Sequence, residues 1–154
     1  PDCQPENVVN GVTRHRGGET NQWASAEGEG MPQWLELRWP QAREIAAIEL
    51  TFDTGFTRPL THSKDAYFEG RQVRGPQPET VRDLRVEGWV DGSWREVAAI
   101  RGNHFRKRVL NLDVPITTEA LRVVVEATNG DAQARLYEVR AYRAKADYRP
   151  TVDA

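Results

Sequence analysis

Two alternating runs, DLRVEGWV (83–90) and SWREVAAI (93–100), meet at Asp91-Gly92. Both residues tolerate positive φ, and a two-residue turn of that kind matches the twist of antiparallel strands, so this stretch predicts a hairpin. A lone hairpin is marginal in water, so its apolar face has to be completed by further strands. The sequence supplies them. WLELRW alternates with Leu35, Leu37 and Trp39 on one face, and IAAIELTF (45–52) is β-branched and aromatic. RKRVLNLDV (106–114), ALRVVVEA (120–127) and RLYEVRAY (135–142) follow, separated by Pro115, Thr117-Thr118 and Asn129-Gly130. Seven or eight strands are expected. No segment keeps a helical period over three turns, although PETVRDL is compatible with one. Strands recurring about every ten residues, with Gly, Pro and Asn between them, predict an all-β antiparallel sandwich or jelly roll rather than a parallel sheet.

The chain has 154 residues, which predicts a single domain over 1–154. At that length roughly 70% of the unfolded surface can be buried, so no disulfide staple is needed. None is available, because Cys3 is the only cysteine, and a zinc site of the cysteine type is excluded with it. The formal charge of −2 supplies no global field for nucleic acid or an anionic membrane, so no nucleic-acid partner is expected. Positive charge is almost all arginine, the lysines being Lys64, Lys107 and Lys145. Arginine's planar fork suits carboxylates and sugar hydroxyls, although the bias is also compatible with genomic base composition. No run approaches the ~20 apolar residues of a membrane span. The start, PDCQPENVV, has neither the basic nor the apolar region of a signal peptide, as expected for a mature fragment or an excised domain.

An irregular, polar stretch, NGVTRHRGGETNQW (10–23), stands before the first long strand. Arg14, His15 and Arg16 at its tip can hydrogen-bond sugar hydroxyls or clamp a uronate carboxylate, or simply face water. A second strandless stretch, Thr54 to Thr80, carries Arg58, His62, Tyr67, Phe68, Arg71 and Arg74. Loops of that length in compact domains are usually functional. Aromatic faces beside polar tips are the composition of a shallow binding site, with Tyr67 the platform candidate and Phe68 the expected anchor. Most of the five tryptophans, Trp34 among them, are expected to be core or cross-strand residues, with Trp94 the surface candidate. His104, Phe105 and Arg106, and likewise Asn129, read as ordinary turn chemistry. Nucleophile-elbow, metalloprotease, phosphate-loop and dinucleotide motifs are all missing from the sequence, and no enzymatic activity is expected.

The order of NVVNG, Thr20-x-x-Trp23, QWLEL, LTFDT, VEGWVDGSWREV and ARLYEVRAY resembles the discoidin-like, or coagulation factor 5/8 type C, galactose-binding-like domains, including family 32 carbohydrate-binding modules. The resemblance runs from Val8 to Tyr142 and implies a jelly roll with its loops gathered at one end. It also implies a structural calcium, whose ligands would fall on Asn10, Thr20 and Glu138. Asn10 stands where the family usually has aspartate, and the lost charge weakens such a site. By the same resemblance, Arg58 lies where relatives often supply an arginine to the ligand. The function expected is a non-catalytic carbohydrate-binding module that targets an attached enzyme to a polysaccharide, secreted or at the cell surface, as a monomer without membrane insertion. His15, Arg16, Arg58, His62, Tyr67 and Arg71 are its expected ligand residues. The alternative is an accessory domain that packs on a parent catalytic domain and binds no sugar. An exposed apolar patch on a sheet face would mark it.

Overall fold

A computed structural model describes residues 3–56, 58, 67, 70 and 72–144. A 3-10 turn, Pro5–Val9, precedes six strands: β1 (Trp23–Ala24), β2 (Gln33–Phe52), β3 (Val81–Val90), β4 (Ser93–Ile100), β5 (Lys107–Thr128) and β6 (Arg135–Tyr142). All pairings are antiparallel, in the order β1-β6-β2-β5-β3-β4. The all-β sandwich expected from the sequence is what forms.

Among the described residues there are six strands, rather than the seven or eight expected, because β2 and β5 are long and bent. Each was expected as two strands, WLELRW and IAAIELTF in β2, and RKRVLNLDV and ALRVVVEA on either side of Pro115 in β5; Pro40 lies between the first two. The pairing between them instead continues past both prolines with register shifts between Arg38 and Arg43 and between Ile45 and Ala47. A bulged register is how a strand tolerates proline and turns a corner. The first half of β2 (33–38) and the second half of β5 (120–125) join β3 and β4 in one layer. The second half of β2 (43–52) and the first half of β5 (107–118) join β6 and β1 in the other.

Between the layers lie Leu35, Ile48, Leu50, Phe52, Leu84, Val86, Leu121, Val123, Leu136 and Val139, all buried. The Asp91-Gly92 hairpin forms as expected, with Trp89 opposite Trp94 and φ of 51° and 75° at the two turn residues. PETVRDL is not helical: Pro78 and Glu79 turn, and β3 begins at Val81.

Because β2 and β5 double back, both ends of each reach the same rim, and side chains knit the loops there. Thr80 Oγ1 donates to the Asp53 carbonyl at 2.8 Å, and Asn129 Nδ2 donates to the carbonyls of Thr80 and Asn103 at 3.0 and 2.9 Å. Asn103 Nδ2 donates in turn to the Val81 carbonyl at 2.9 Å. Asn103 and Thr80 are buried, so these bonds satisfy groups that water cannot reach. The buried amides make this rim a rigid platform for what projects above it.

Candidate functional site

A cleft of about 400 Å³ opens on that rim, lined by Thr13, Arg14, His15, Phe56, Arg106 and Tyr137. Four segments distant in the chain meet there. Gly17 and Gly18, with φ of 61° and 88°, close a tight turn, across which the backbones of Arg16 and Glu19 exchange two hydrogen bonds of 3.0 Å. That turn fixes the loop carrying Thr13 to His15. Phe56 follows the exit of β2, Arg106 precedes β5, and Tyr137 sits where the β2–β6 register slips between Thr51 and Phe52.

Arg106 organises the cleft. Its Nη2 donates to the Thr13 carbonyl, and its Nη1 lies 3.4 Å from both the Phe52 carbonyl and Thr54 Oγ1. The guanidinium lies 4.4 Å from the Phe56 ring centre and 5.1 Å from that of Tyr137. Burial lowers the Arg106 pKa, because its charge has given up water. Burial likewise pushes the Tyr137 phenol up, helped by the negative charge of Asp53, so Tyr137 stays a neutral hydroxyl. The His15 ring meets Tyr137 edge-on, with centres 6.0 Å apart. Phe56 is 63% exposed, an aromatic face open to solvent beside a cation and an imidazole. Among the described residues, no carboxylate lines the cleft. Asp53, the acid whose charge acts on Arg106, is buried and accepts the Gly55 amide at 2.8 Å.

Of the residues expected from the sequence to contact ligand, His15 lines this cleft. Arg16 stands beside it at the base of the glycine turn. Tyr67 is 57% exposed, and His62 and Arg71 fall outside the described residues, as does Phe68. Arg58 is committed within the protein. Its Nη2 donates to Glu79 Oε2 at 2.6 Å and to Gln77 Oε1 at 2.7 Å, with a further contact from Nη1 to Glu79 Oε1. This bidentate pair clasps the two ends of the long loop, and the hydrogen bond from Arg58 holds the Glu79 carboxyl below its usual range. Gly55, at φ 70°, leaves room that a Cβ would take from the Arg58 guanidinium.

The residues expected at calcium lie on neighbouring elements, since the 3-10 turn that leads to Asn10 packs against β1 and β6. Amide, hydroxyl and carboxylate oxygens are the donor types calcium takes. Each already has a partner: Asn10 Oδ1 accepts the Val12 amide at 2.7 Å, Thr20 Oγ1 is 3.4 Å from Cys3 Sγ, and Arg140 donates to Glu138 Oε1 at 2.6 Å. Arg140 is half exposed and can swing away, so the oxygen types fit a cation provided this ion pair opens.

Sequence reasoning passed over Phe56 and Tyr137 and set Arg106 down as turn chemistry. The available signal for Phe56 was an aromatic directly after Gly55 at a strand exit. Nothing local marks Tyr137, whose role depends on a bulge in pairing with a strand some eighty residues earlier.

The two-layer jelly roll has the fold of the family 32 carbohydrate-binding modules. The chain superposes on the family 32 module of Streptococcus pneumoniae EndoD with a TM-score of 0.68 at 19% identity, covering 94% of this chain and 88% of that one. The family 32 module of C. perfringens NanJ, solved with galactose, gives 0.64 at 16% identity over 91% and 85%. Chitosan-binding module 2 of a Paenibacillus sp. IK-5 chitosanase/glucanase, solved with chitotriose, gives 0.64 at 15% over 92% and 87%. No protein-family model and no curated protein sequence matches the chain.

Proposed function

We propose that this protein is a non-catalytic carbohydrate-binding module whose rim cleft takes a sugar and so holds an attached enzyme on its polysaccharide. The observation that carries this is the exposed Phe56 face set beside His15 and the anchored Arg106 guanidinium on a fold shared with sugar-bound modules. An aromatic face takes the C–H side of a pyranose, while imidazole and guanidinium fix its hydroxyls. Arg14 and Arg106 line the cleft without a carboxylate among its described walls, which favours a uronic-acid-bearing polysaccharide. Arg16 and Tyr67 are placed at the cleft margin in this proposal. Arg58 acts at one remove, by clasping the loop.

A shallow site of this kind gives a Kd from about micromolar to millimolar, raised to useful retention by linkage to the enzyme. Such a module works outside the cell or at its surface, and among the described residues no helix is long and apolar enough to cross a membrane.

Affinity electrophoresis on acidic and neutral polysaccharides tests the proposal. Retention on an acidic polysaccharide should fall in Phe56→Ala and His15→Ala, with both variants still folded. Equal retention of both variants and the parent refutes the cleft. A packing domain without sugar binding would need a contiguous apolar face. The exposed large apolar side chains are instead spread over the 3-10 turn, β2, β5, β6 and separate loops. Calcium at Asn10, Thr20 and Glu138 is a separate proposal. It predicts a melting temperature that rises with calcium and falls with EDTA, because an ion bound only by the native state stabilises it, and indifference to both would exclude it.

A further inference from the structure

Away from the rim, the outer face of the β2-β5-β3-β4 layer carries a second aromatic group. Arg122 lies between two indoles, its guanidinium carbon 4.3 Å from the ring centre of Trp34 and 4.1 Å from that of Trp94. Trp94 is braced behind by Trp89, edge-on at 5.4 Å. Arg122 Nη2 donates to Glu36 Oε2 at 3.1 Å, and Glu36 Oε1 accepts Arg38 Nε at 2.5 Å. The row Trp34, Arg122, Trp94 therefore crosses three strand spacings, about 14 Å, with each member held by the next.

At one end of this row the structure leaves an open platform. Trp34 is 53% exposed although it sits in a strand, and its neighbour Leu35 is buried. Over Gln33–Arg38, β2 pairs with β5 alone among the described residues, so Trp34 stands on an edge with one side facing no described strand. The stack on Arg122 fixes the indole, which removes the rotamer cost a mobile surface tryptophan would bring to binding. Along the same face of β2 come Glu36 and Arg38, a carboxylate and a 60% exposed guanidinium side chain, both suited to hydroxyl groups.

We propose that Trp34, with Glu36 and Arg38, forms a second carbohydrate site, on the sheet face, for a neutral pyranose ring of a glycan chain. Two features select that ligand. Every guanidinium on this face has a carboxylate partner: Arg38 and Arg122 share Glu36, Arg85 has Glu87 and Glu126, and Arg101 has Glu126. An acidic sugar would find no uncommitted cation there, in contrast to the rim cleft. The exposed apolar surface is one indole among paired charges, the footprint of a single sugar ring and far below the several hundred Å² expected of a protein-docking patch.

Proton–nitrogen spectra of the intact chain, titrated with neutral trisaccharides of glucose, galactose, mannose and N-acetylglucosamine, test this directly. The indole N–H signals of Trp34 and Trp94 should move saturably with at least one of them, while that of the buried Trp23 stays still. Trp34→Ala should weaken this response at least tenfold. Phe56→Ala, which removes the rim platform, should leave it intact. Stationary Trp34 and Trp94 signals with all four sugars overturn the proposal. So does their loss in Phe56→Ala, which would make them reporters of the rim. Shifts that track protein concentration without sugar would assign the face to self-association and overturn it as well. A response at Trp34 with none at His15 would support this site as one that takes neutral sugar independently of the rim cleft.

Discussion

Replacing Arg106 by methionine tests whether one half-buried guanidinium both builds the cleft and ties the loops. The substitution keeps an apolar stem of similar reach and removes only the charged fork. Lost with the fork is the hydrogen bond to the Thr13 carbonyl, a bond from a charged donor worth about 1.5–3 kcal/mol. The contacts to Phe52 O and Thr54 Oγ1, at 3.4 Å, lie beyond the usual range and contribute little. Stacking on Tyr137 and Phe56 adds about 0.5–2 kcal/mol, the upper part applying where the cation is desolvated. Burial of the charge works against these gains, as the lowered Arg106 pKa records. A net loss of about 2–4 kcal/mol follows, and at about 2–4 °C per kcal/mol for a chain of this size the melting temperature should drop by about 4–16 °C. Differential scanning calorimetry reads it. A change under 1 °C would mean that Thr13 and its loop are held by other groups and that Arg106 is a surface residue in energetic terms.

Other perturbations isolate single features. Gly92→Ala forces a Cβ onto φ 75° with no neighbour within 4 Å, so its cost is conformational, about 1–2 kcal/mol, and should appear as a lower urea midpoint with unchanged slope. Equal midpoints would refute the turn assignment. For Glu79→Gln, the sign follows from the direction of the shift. The folded-state Glu79 pKa lies below its ordinary 4.5, so its stabilisation is complete above that value and fades as pH falls through the lower folded one. The partner Arg58 side chain is 36% exposed, which limits the pair to about 1 kcal/mol or less. The parent should therefore lose slightly more stability on acidification than Glu79→Gln, and identical acid profiles would refute the clasp.

How legible the molecule was depends on the range over which each feature is encoded. Asp91-Gly92 and the alternating runs are local signals, and the hairpin and the buried faces of β2, β3 and β5 follow from them. The bends at Pro40 and Pro115 were invisible, because a proline reads as a break unless the partner strand slips register with it, and that partner lies some seventy residues away. The cleft shows the same limit. His15 was legible in a glycine-flanked polar loop. Arg106 and Arg58 look alike in sequence, two arginines beside an aromatic in a loop, yet one faces ring systems and the other a carboxylate, because Glu79 lies across the loop from Arg58. Trp34 was expected, with most of the tryptophans, to be a core or cross-strand residue. It is cross-strand, stacked on Arg122 of β5, and at 53% exposure it lies outward, as the alternation of Leu35, Leu37 and Trp39 implies.

A crystal structure of the protein with an acidic oligosaccharide it retains would test the rim cleft most directly. The proposed function predicts a sugar ring in van der Waals contact with Phe56, its polar groups within hydrogen-bond distance of His15 and of Arg14 or Arg106. A glycan bound only elsewhere, with Phe56 untouched, would contradict it.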